Sequence, residues 1–407
     1  MMKKKLLIIV GAGASIDFGL PSLSAVDKLL DECAQTYCPL ADHPDSNLYR
    51  HCRDLIEAYY AESPTEYLRK WPNFEEVLYQ LNLLGQYLSD DYRTHGGNAL
   101  LKANALPDVQ EFGRTRKKVD GNVLRNLSTA LMDRLVEHFI DKCDELPTTK
   151  GSEISRLGGF LQALRAVFDI GIITLNYDNV FTKACDDLFT GFDADTHQFA
   201  PLQVLRRDDW HFIYHLHGSV HFAMTEPGHG ITWATAPQKG HAVQASGRNN
   251  QGSMEGTGYP MSNIVAGYGK TQQILRQPFN TYFAAINRVV QEADSLLFLG
   301  YGFSDQHLNA LIAQAPRRPT VVIDFASEDQ DSLPLRMDEW SYRLFQTIRG
   351  CQHRMSRPGS SSVCLVSELK AEHELEVSVD PEYPLAVWYN GLLAACEHPD
   401  KILTHLC

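Results

Sequence analysis

Short, continuously apolar runs recur along this chain of 407 residues, and they constrain its fold more than any other feature. Each run is rich in β-branched residues and is bounded by glycine or by charged residues. A strand that is covered on both faces of a sheet shows such continuous apolar character. Helical periodicity lies between several of the runs, so the sequence predicts an α/β fold in which a parallel sheet of about six strands is wound with helices. The predicted strands lie at residues 6–10, 170–175, 212–216, 296–299, 321–325 and 363–366.

The gap between the first two predicted strands is long, and residues 25–168 look mainly helical. Its clearest helix starts at Asn73, which lies three residues before Glu76 as in a capping box. One face of that helix is apolar and carries Phe74, Val77, Leu78, Leu81, Leu84 and Leu88. The basic residues within 114–118 show little periodicity. A solvated loop is the simpler interpretation, with a phosphate or partner contact as the alternative.

Two later segments complete the organisation of the chain. Residues 223–263 are rich in Gly, Ser, Thr, Gln and Asn and have no steady period, which is typical of a functional or mobile loop. Residues 384–407 carry many apolar side chains and predict a terminal helix pair packed on the core, with an oligomer or partner interface as the alternative. We therefore expect a core of residues 1–24 and 165–345, a helical insertion of residues 25–164, and a C-terminal strand and helices over 346–407.

Charge and hydropathy exclude several classes of protein. The chain has 37 basic and 50 acidic residues, a net charge of −13, whereas a dedicated DNA-binding protein usually has a basic excess. No segment approaches the roughly 18–20 consecutive apolar residues of a membrane span. Residues 3–10 resemble the start of a signal peptide, but the apolar run ends too early, at Gly11. Nine scattered cysteines suit reduced thiols better than a disulfide framework, so we expect a soluble cytoplasmic protein.

The first predicted strand runs directly into the turn Gly11-Ala12-Gly13-Ala14-Ser15. Small residues let backbone N–H groups approach a pyrophosphate closely, although a plain turn between a strand and a helix has the same pattern. The dehydrogenase fingerprint is incomplete, because its third glycine would fall at Ile16 and no acidic residue ends a clear second strand about 20 residues later. The sequence Gly19-Leu20-Pro21-Ser22 then predicts an early end of the helix and a loop over the ligand.

Polar side chains follow two further predicted strands. Asn176 and Asp178 come after residues 170–175, at the kind of strand end where open α/β sheets bind ligands; an Asx turn that starts the next helix is the alternative. His215 and His217 point to one face of a strand, so one can meet a ligand while the other packs in the core. His217 is the better candidate because it lies at the strand exit. A metal site would need a second His/Cys cluster at ligand spacing, which the sequence lacks.

The fourth motif is Gly300-Tyr301-Gly302-Phe303-Ser304-Asp305, where a buried strand ends in a glycine-rich turn that opens a helix. Asn309 lies one helical turn further on. Backbone N–H groups in this turn are suited to hold a phosphate or ribose from the side of the cleft opposite the first turn.

Taken in order, Gly-Ala-Gly-Ala-Ser, Thr-Leu-Asn-Tyr-Asp, His-Leu-His-Gly and Gly-Tyr-Gly-Phe-Ser-Asp resemble the sirtuin family. They are more closely similar to the sirtuin-like domains of bacterial antiphage defence systems. The resemblance covers about residues 6–20 and 165–325 and implies a Rossmann-like fold that binds NAD⁺ at these strand ends. It implies that His217 is the catalytic base, that Asn176 orders the ribose and the attacking water, and that Asp178 contacts the nicotinamide amide. The other implied NAD⁺ contacts are Gly11, Ala12, Gly13, Ala14, Ser15, Gly300, Gly302, Ser304 and Asp305.

The chain also departs from the protein-deacetylating sirtuins. Those enzymes carry a four-cysteine zinc module between the histidine motif and the later glycine motif, whereas residues 186–350 here contain no cysteine. They also continue the first motif with Asp-Phe-Arg, which is missing after Gly19-Leu20-Pro21. We therefore predict no zinc-ribbon module and no metal, and the tunnel for acyl-lysine is in question. NAD⁺ cleavage with water as the acceptor is the activity that remains.

The leading hypothesis is an NAD⁺ glycohydrolase that releases nicotinamide and ADP-ribose and acts as the effector of abortive-infection defence. A non-catalytic module that senses NAD⁺ or ADP-ribose is the alternative, followed by a protein deacylase or a dehydrogenase. Unregulated hydrolysis would kill the host, so we expect activation within a complex. Resemblance in length and domain content implies a homo-oligomer that pairs with a HerA-type hexameric ATPase. DNA would be engaged only through that complex, and no membrane is implied.

Overall fold

The chain forms two units that alternate along the sequence. The first contains Met1–Leu20, Lys142–His217 and Asn280–Cys407, and the second contains Pro21–Asp141 and Gly218–Phe279. All the predicted catalytic and NAD⁺-binding residues fall in the first unit. The computed structural model describes residues 3–62, 72–88, 106–225, 230–237, 239, 243–245, 259–267, 273–327, 329–348, 355–360 and 362–407.

A sheet of eight strands forms the core of the first unit. Its strands are β1 (Lys4–Val10), β4 (Phe168–Thr174), β5 (His211–His215), β10 (Ser295–Leu299), β11 (Thr320–Ile323), β12 (Met355–Ser356), β13 (Glu376–Ser378) and β14 (Leu385–Trp388). Their order across the sheet is β12-β13-β14-β11-β10-β1-β4-β5. The six strands from β14 to β5 are parallel, and β12 and β13 add an antiparallel edge. The predicted α/β fold with a mostly parallel sheet is confirmed.

Five of the six predicted strands are strands of this sheet, and the sixth parallel strand lies elsewhere. Residues 363–366 are not a strand, because Val363 and Leu365 are exposed and Val366 already begins a helix. The missing strand is β14, which lies in the segment predicted to be a helix pair. Its side chains are buried and its neighbour in the sheet is β11. The apolar pattern of residues 384–407 predicted a helix because apolar residues continue past the strand, to Tyr389 and Leu392, at spacings that also suit a helix.

The order of the parallel strands reverses at β1. Along the sequence, β1, β4 and β5 proceed toward one side, and β10, β11 and β14 proceed toward the other. This is the 3-2-1-4-5-6 order of the Rossmann fold, in which ligands bind outside the carboxyl ends of the strands near the reversal. Val10 is level with Thr174 on one neighbour and with Leu299 on the other. The segments that follow these strands therefore emerge at one edge of the sheet.

Helices accompany the sheet in the first unit. Their bounds are α1 (Gly13–Ile16), α6 (Gly151–Val167), α7 (Val180–Ala184), α8 (Pro201–Leu205), α9 (Phe279–Glu292), α10 (Gln306–Gln314), α11 (Glu339–Ile348), α12 (Val366–Glu372), α13 (Leu392–Cys396) and α14 (Pro399–Thr404). The final segment packs in this core, where Trp388 and Tyr389 are almost wholly buried.

The second unit contains helices and short hairpins. They are α2 (Leu23–Tyr37), α3 (Leu48–Ala61), α4 (Phe74–Tyr87) and most of α5 (Gly121–Thr149), with β2 (Val109–Glu111) paired to β3 (Thr115–Lys117), β6 (Phe222–Met224) to β7 (Ile231–Trp233) and β8 (Val243–Ala245) to β9 (Tyr259–Met261). The start of α4 is confirmed, because the Asn73 side chain accepts a hydrogen bond from the Glu76 N–H at 3.0 Å. The prediction of a solvated loop at 114–118 is wrong for Thr115–Lys117, which form β3, but Arg114, Arg116 and Lys118 are exposed as predicted. Arg116 forms ion pairs with Asp42 and Asp108.

Two further observations concern the predicted loop and the membrane. Part of residues 223–263, namely 226–229, 238, 240–242 and 246–258, lies outside the described residues. The described remainder contributes to the hairpins β6-β7 and β8-β9. Across the described part of the chain, no helix combines the length and the apolar character that crossing a membrane requires.

Candidate functional site

The glycine turns after β1 and β10 pack backbone against backbone. The Gly11 N–H donates to the Leu299 carbonyl and the Gly13 N–H donates to the Gly300 carbonyl, both at 2.9 Å. Gly300 has a φ of 54°, a left-handed conformation that favours glycine. A Cβ atom on Gly300 would lie 2.0 Å from the Ala14 nitrogen, and one on Gly11 would lie 2.7 Å from the Gly300 oxygen. The two predicted turns therefore meet, and glycine makes that approach possible.

The helix that follows the first turn is short. α1 ends at Ile16, and Gly19 follows with a φ of 83°, so the predicted early end of this helix is confirmed. Within the turn, Ala14 and Ser15 are buried, whereas Ala12 and Gly13 are exposed. The turn thus has an inner face that packs in the protein and an outer face that is open.

Asn176 connects the first turn to the segment after β4. Its amide nitrogen Nδ2 donates to the Gly11 carbonyl at 2.9 Å and to the Ser15 hydroxyl at 2.8 Å. Its own backbone N–H donates to Thr174 Oγ1. Asn176 is only 7% exposed. Because both amide hydrogens are used within the protein, the carbonyl oxygen Oδ1 is the atom that this side chain can direct toward a ligand.

Asp178 joins the same hydrogen-bond network. The Ser15 hydroxyl bonds to its carboxyl group, and the Val180 N–H donates to its Oδ1 at 3.0 Å. The second contact is the Asx turn that the sequence left as an alternative, and it precedes α7. Burial raises the pKa of Asp178, and the bonds from Ser15 and Val180 oppose that shift only partly. The neutral carboxyl form is thus favoured relative to an exposed aspartate.

His217 pairs with Asp305 across the strand ends. Its ring atom Nε2 lies 3.0 Å from Asp305 Oδ2, and the two side chains are 5% and 9% exposed. The other carboxyl oxygen of Asp305 accepts a hydrogen bond from the Leu308 N–H and so caps α10. His215, the last residue of β5, is also buried. The motif after β5 and the motif after β10 are therefore in direct contact.

The turn after β10 is held by a residue of the following helix. Asn309 accepts a hydrogen bond from the Tyr301 hydroxyl and donates one to the Phe303 carbonyl, each at 2.7 Å. Gly302 and Ser304 are exposed on this turn, and a Cβ atom on Gly302 would meet nothing within 4 Å. Like the first turn, this one combines a fixed inner face with an open outer face.

The four predicted motifs thus form one connected group at the carboxyl edge of the sheet. The first turn contacts Asn176 and Gly300, and His217 contacts Asp305. In the described part of the chain, no group of three or more His, Cys, Asp or Glu side chains is arranged to hold a metal ion. The contacts instead suit an uncharged network of amides and hydroxyls beside one imidazole–carboxylate pair.

Sequence reasoning missed Asp324, which follows β11 at the same edge. Burial raises its pKa to about 6, and the backbone N–H of Phe325 opposes that shift. Its backbone N–H donates to the Trp388 carbonyl. The signal was present, because a single acidic residue lies at the carboxyl end of the apolar run 321–325. Trp340 also contacts this edge, since its indole N–H points to the Tyr301 carbonyl at 3.4 Å. No comparable sequence pattern indicated that contact.

A small, partly open cavity of about 30 Å³ lies at the opposite edge of the same sheet. It is lined by residues at the amino ends of strands, including Leu296, Thr320 and Leu385. None of the predicted site residues lines it. The candidate site is therefore located by polar groups with defined hydrogen-bond partners and not by the position of a cavity.

The comparisons with known proteins agree with the position of the motifs. The family model of the SIR2-like domain matches residues 170–320, which include Asn176, Asp178, His217 and the turn after β10. No curated protein matches the chain.

Solved structures to which the chain is similar include Sir2 proteins with bound ligands. One is a Sir2 homolog–NAD complex, with 12% identity over 85% of this chain and 89% of that chain and a TM-score of 0.33. Another is a mutant Sir2 homologue with ADP-ribose, with 13% identity over 85% and 91% and a TM-score of 0.31. Scores of this size carry no argument about function, so the chemistry below rests on the geometry and on the SIR2-like match.

Proposed function

We propose that this protein is an NAD⁺ glycohydrolase that cleaves NAD⁺ into nicotinamide and ADP-ribose. The observation that carries the proposal is the connected group of four strand-end motifs in a chain whose residues 170–320 match the SIR2-like domain. The group supplies one imidazole, one amide oxygen and two open glycine turns at a single sheet edge. These are the parts that hydrolysis of a dinucleotide at its ribose requires.

The glycine turns are suited to hold the pyrophosphate and the ribose. Ala12 and Gly13 on one turn, and Gly302 and Ser304 on the other, present exposed small residues whose backbones a phosphate can approach. The protein carries a net charge of −13, so its overall field does not attract the dinucleotide. Local backbone dipoles of the turns must therefore supply the attraction.

The bond to be broken joins the pyridinium nitrogen of nicotinamide to C1′ of the ribose. Nicotinamide leaves with the bonding electron pair and becomes neutral, while positive charge develops on the ribose. A water oxygen then bonds to C1′, and the proton that it loses passes to His217. Asn176 accepts a hydrogen bond from that water or from a ribose hydroxyl through Oδ1, because its two amide hydrogens are held by Gly11 and Ser15.

Asp178 has a separate role in this proposal. Its burial favours the neutral carboxyl group, which can both donate to and accept from an amide, and the hydrogen bond from Ser15 opposes that shift only partly. A nicotinamide carboxamide offers one acceptor and two donor hydrogens. Asp178 would thus recognise the leaving group, and Ser15 would tie that contact to the first glycine turn.

The test is to incubate the purified full chain with NAD⁺ and to quantify nicotinamide and ADP-ribose by chromatography. His217→Ala and Asn176→Ala should lower turnover by about 10²–10⁴-fold, the usual contribution of a general base or of orientation at the reacting atom. The matched control is His307→Ala, an exposed histidine on α10, which should leave turnover unchanged. Binding of ADP-ribose, measured by calorimetry, should persist in His217→Ala.

The alternative function is a non-catalytic module that senses NAD⁺ or ADP-ribose. The burial of both His217 and Asn176, each less than a tenth exposed, favours it in one respect. Such a module would bind the dinucleotide and leave it intact, and its response would tolerate His217→Ala. Intact NAD⁺ under every activating condition, together with unchanged binding in that variant, would identify it.

We also propose the biological setting that the resemblance implied. The hydrolase would act in the cytoplasm as the effector of abortive-infection antiphage defence, as a homo-oligomer activated in a complex with a HerA-type hexameric ATPase. DNA would be engaged by the complex rather than by this acidic chain. Native mass measurement at micromolar concentration tests the oligomer, and the NAD⁺ assay with and without the neighbouring gene product tests activation. A monomer that hydrolyses NAD⁺ equally well alone would contradict this setting.

A further inference from the structure

We propose that Asp305 is a positioning residue for His217, and that it holds the ring in the tautomer whose Nδ1 atom accepts the proton. The inference rests on the proposed function, because it takes His217 as the base. The resemblance had implied an NAD⁺ contact for Asp305. The contacts within the protein point instead to the imidazole as the partner of this carboxylate.

Both oxygens of Asp305 accept hydrogen bonds from the protein. Oδ2 lies 3.0 Å from Nε2 of His217, and Oδ1 lies 3.0 Å from the backbone nitrogen of Leu308. The second contact makes Asp305 the N-cap of α10, a helix of nine residues. The carboxylate thus fixes the ring of His217 to the end of a regular element rather than to a free loop.

The position of Asp305 decides which nitrogen of His217 carries the proton. The positive end of the helix dipole favours a negative charge at the N-cap. An ionised carboxylate can only accept hydrogen bonds, so Nε2 must be the protonated nitrogen in the neutral ring. The lone pair is then on Nδ1, which faces away from Asp305. The same carboxylate stabilises the imidazolium that forms when Nδ1 takes a proton.

The turn that carries Asp305 is held firmly in place. The Asn309 side chain bonds to the Tyr301 hydroxyl and to the Phe303 carbonyl on either side of Gly302. The indole of Trp340 reaches the Tyr301 carbonyl. These contacts limit the movement of the carboxylate relative to α10, which is what a positioning group requires.

Two substitutions of Asp305 separate the positioning role from the capping role. Asp, Asn and Ser are about equally good N-caps, so Asp305→Asn and Asp305→Ser both keep α10 capped. The amide of Asn can donate to Nε2, which moves the ring proton to Nδ1 and removes the base. Serine caps the helix but is too short to reach the ring, so the two tautomers exchange freely.

The positioning role predicts an unusual order of activities. Asp305→Asn, the more conservative change in shape, should lower kcat at least 100-fold, and Asp305→Ser should lower it about 10-fold. The KM for NAD⁺ should change by less than about threefold in both variants, because the effect falls on the chemical step. If Asp305 acted only as a helix cap, Asp305→Asn would be the milder change and both variants would stay close to wild type.

The matched control is Asp338→Asn. Asp338 also caps a helix of the first unit, since its Oδ1 accepts from the Ser341 N–H, but its other oxygen pairs with Arg336 instead of a histidine. The control should leave kcat unchanged. A fall in kcat for Asp338→Asn equal to that for Asp305→Asn would overturn the inference, because capping alone would then explain both.

A spectroscopic measurement tests the tautomer without any turnover. In protein with ¹⁵N-labelled histidine, the ring signals of His217, assigned by their loss in His217→Ala, should show a protonated Nε2 in wild type. In Asp305→Asn they should show a protonated Nδ1. A protonated Nδ1 in neutral wild-type His217 would overturn the inference.

The two measurements distinguish failure of this inference from failure of the proposed function. If wild type releases no nicotinamide, the proposed function fails, and the ¹⁵N spectra alone decide whether Asp305 sets the tautomer. If wild type hydrolyses NAD⁺ while Asp305→Asn keeps full activity, the glycohydrolase stands and the positioning role falls.

Discussion

The two edges of the parallel sheet are built in opposite ways. At the carboxyl edge, Gly300 packs against the first glycine turn, the Asn176 amide bonds to Gly11 and Ser15, and His217 pairs with Asp305. At the amino edge, a small cavity of about 30 Å³ is lined mostly by apolar side chains, with Arg317 and Arg318 among the lining residues. The amino edge has the cavity but none of the predicted site residues, whereas the carboxyl edge has the predicted site residues in hydrogen-bonded contact with their neighbours.

The comparison indicates that buried polar groups locate the proposed site better than empty volume does. Burying Asp178 and Asp324 costs stability, which selection for stability alone would remove. Arg318, in contrast, is buried but donates to the carbonyls of Val290, Ala293 and Pro316. The hydrogen bonds to Val290 and Ala293 satisfy carbonyl groups at the C-terminal end of α9, so a structural role accounts for the burial of Arg318.

The largest expected effect is that of Gly300→Ala. The added Cβ would lie 2.0 Å from the Ala14 nitrogen, and φ is already in the left-handed region, so the two glycine turns would have to separate. We expect a loss of about 4 kcal/mol or more in the free energy of unfolding, measured by urea denaturation. NAD⁺ hydrolysis should be lost with it.

The control for that prediction is two residues away. A Cβ atom on Gly302 would meet nothing within 4 Å, so Gly302→Ala should change the free energy of unfolding by less than about 0.5 kcal/mol. Equal stability of the two variants would show that the two turns do not pack as described, and the contrast between the edges would lose its main support.

A smaller effect is expected at the amino edge from Arg318→Met. The change removes a buried guanidinium and leaves the carbonyls of Val290 and Ala293 without their donor, which should cost about 2–3 kcal/mol. The kcat of NAD⁺ hydrolysis should not change, because the site lies at the other edge. Arg317→Ala, at an exposed neighbour, is the matched control and should cost less than about 1 kcal/mol. A tenfold loss of kcat in Arg318→Met at unchanged fold would refute the structural assignment of this edge.

The smallest effect concerns the pH dependence of stability and Asp324. Its pKa in the folded protein is raised to about 6, so the folded state holds the proton more tightly than the unfolded state does. Wild-type stability should therefore fall as the pH rises through this window, from about 4 to about 6, by up to about 2 kcal/mol. Asp324→Asn cannot ionise and should lack this loss.

Urea unfolding of wild type and Asp324→Asn at pH 4.5 and at pH 7.5 checks this prediction. The variant should gain stability relative to wild type at the higher pH only. Parallel behaviour of the two proteins across the range would mean that Asp324 is not held in an unfavourable environment.

Much of the fold and the candidate site could be predicted from local patterns. Residues 6–10 and 296–299 are continuously apolar because both sheet faces are covered, and glycine at 11 and 300 follows each of them. The pattern failed at β14, because the run through Tyr389 and Leu392 suits a strand and a helix alike. It also failed at residues 363–366, which have the composition of a strand, although Val363 and Leu365 are exposed and Val366 begins a helix.

The amino-acid order alone determined where the buried strands lie, where the chain must turn at glycine, and which polar side chains leave those strands. Those properties depend on a few neighbouring residues, so a short window contains them. Only the folded chain decided that β10 lies beside β1, that Asn176 bonds across 165 positions to Gly11, and that Asp305 meets His217. Apolar runs of similar length pair almost interchangeably, so the choice among partners is made by packing the whole sheet, and contacts between distant residues follow from that choice.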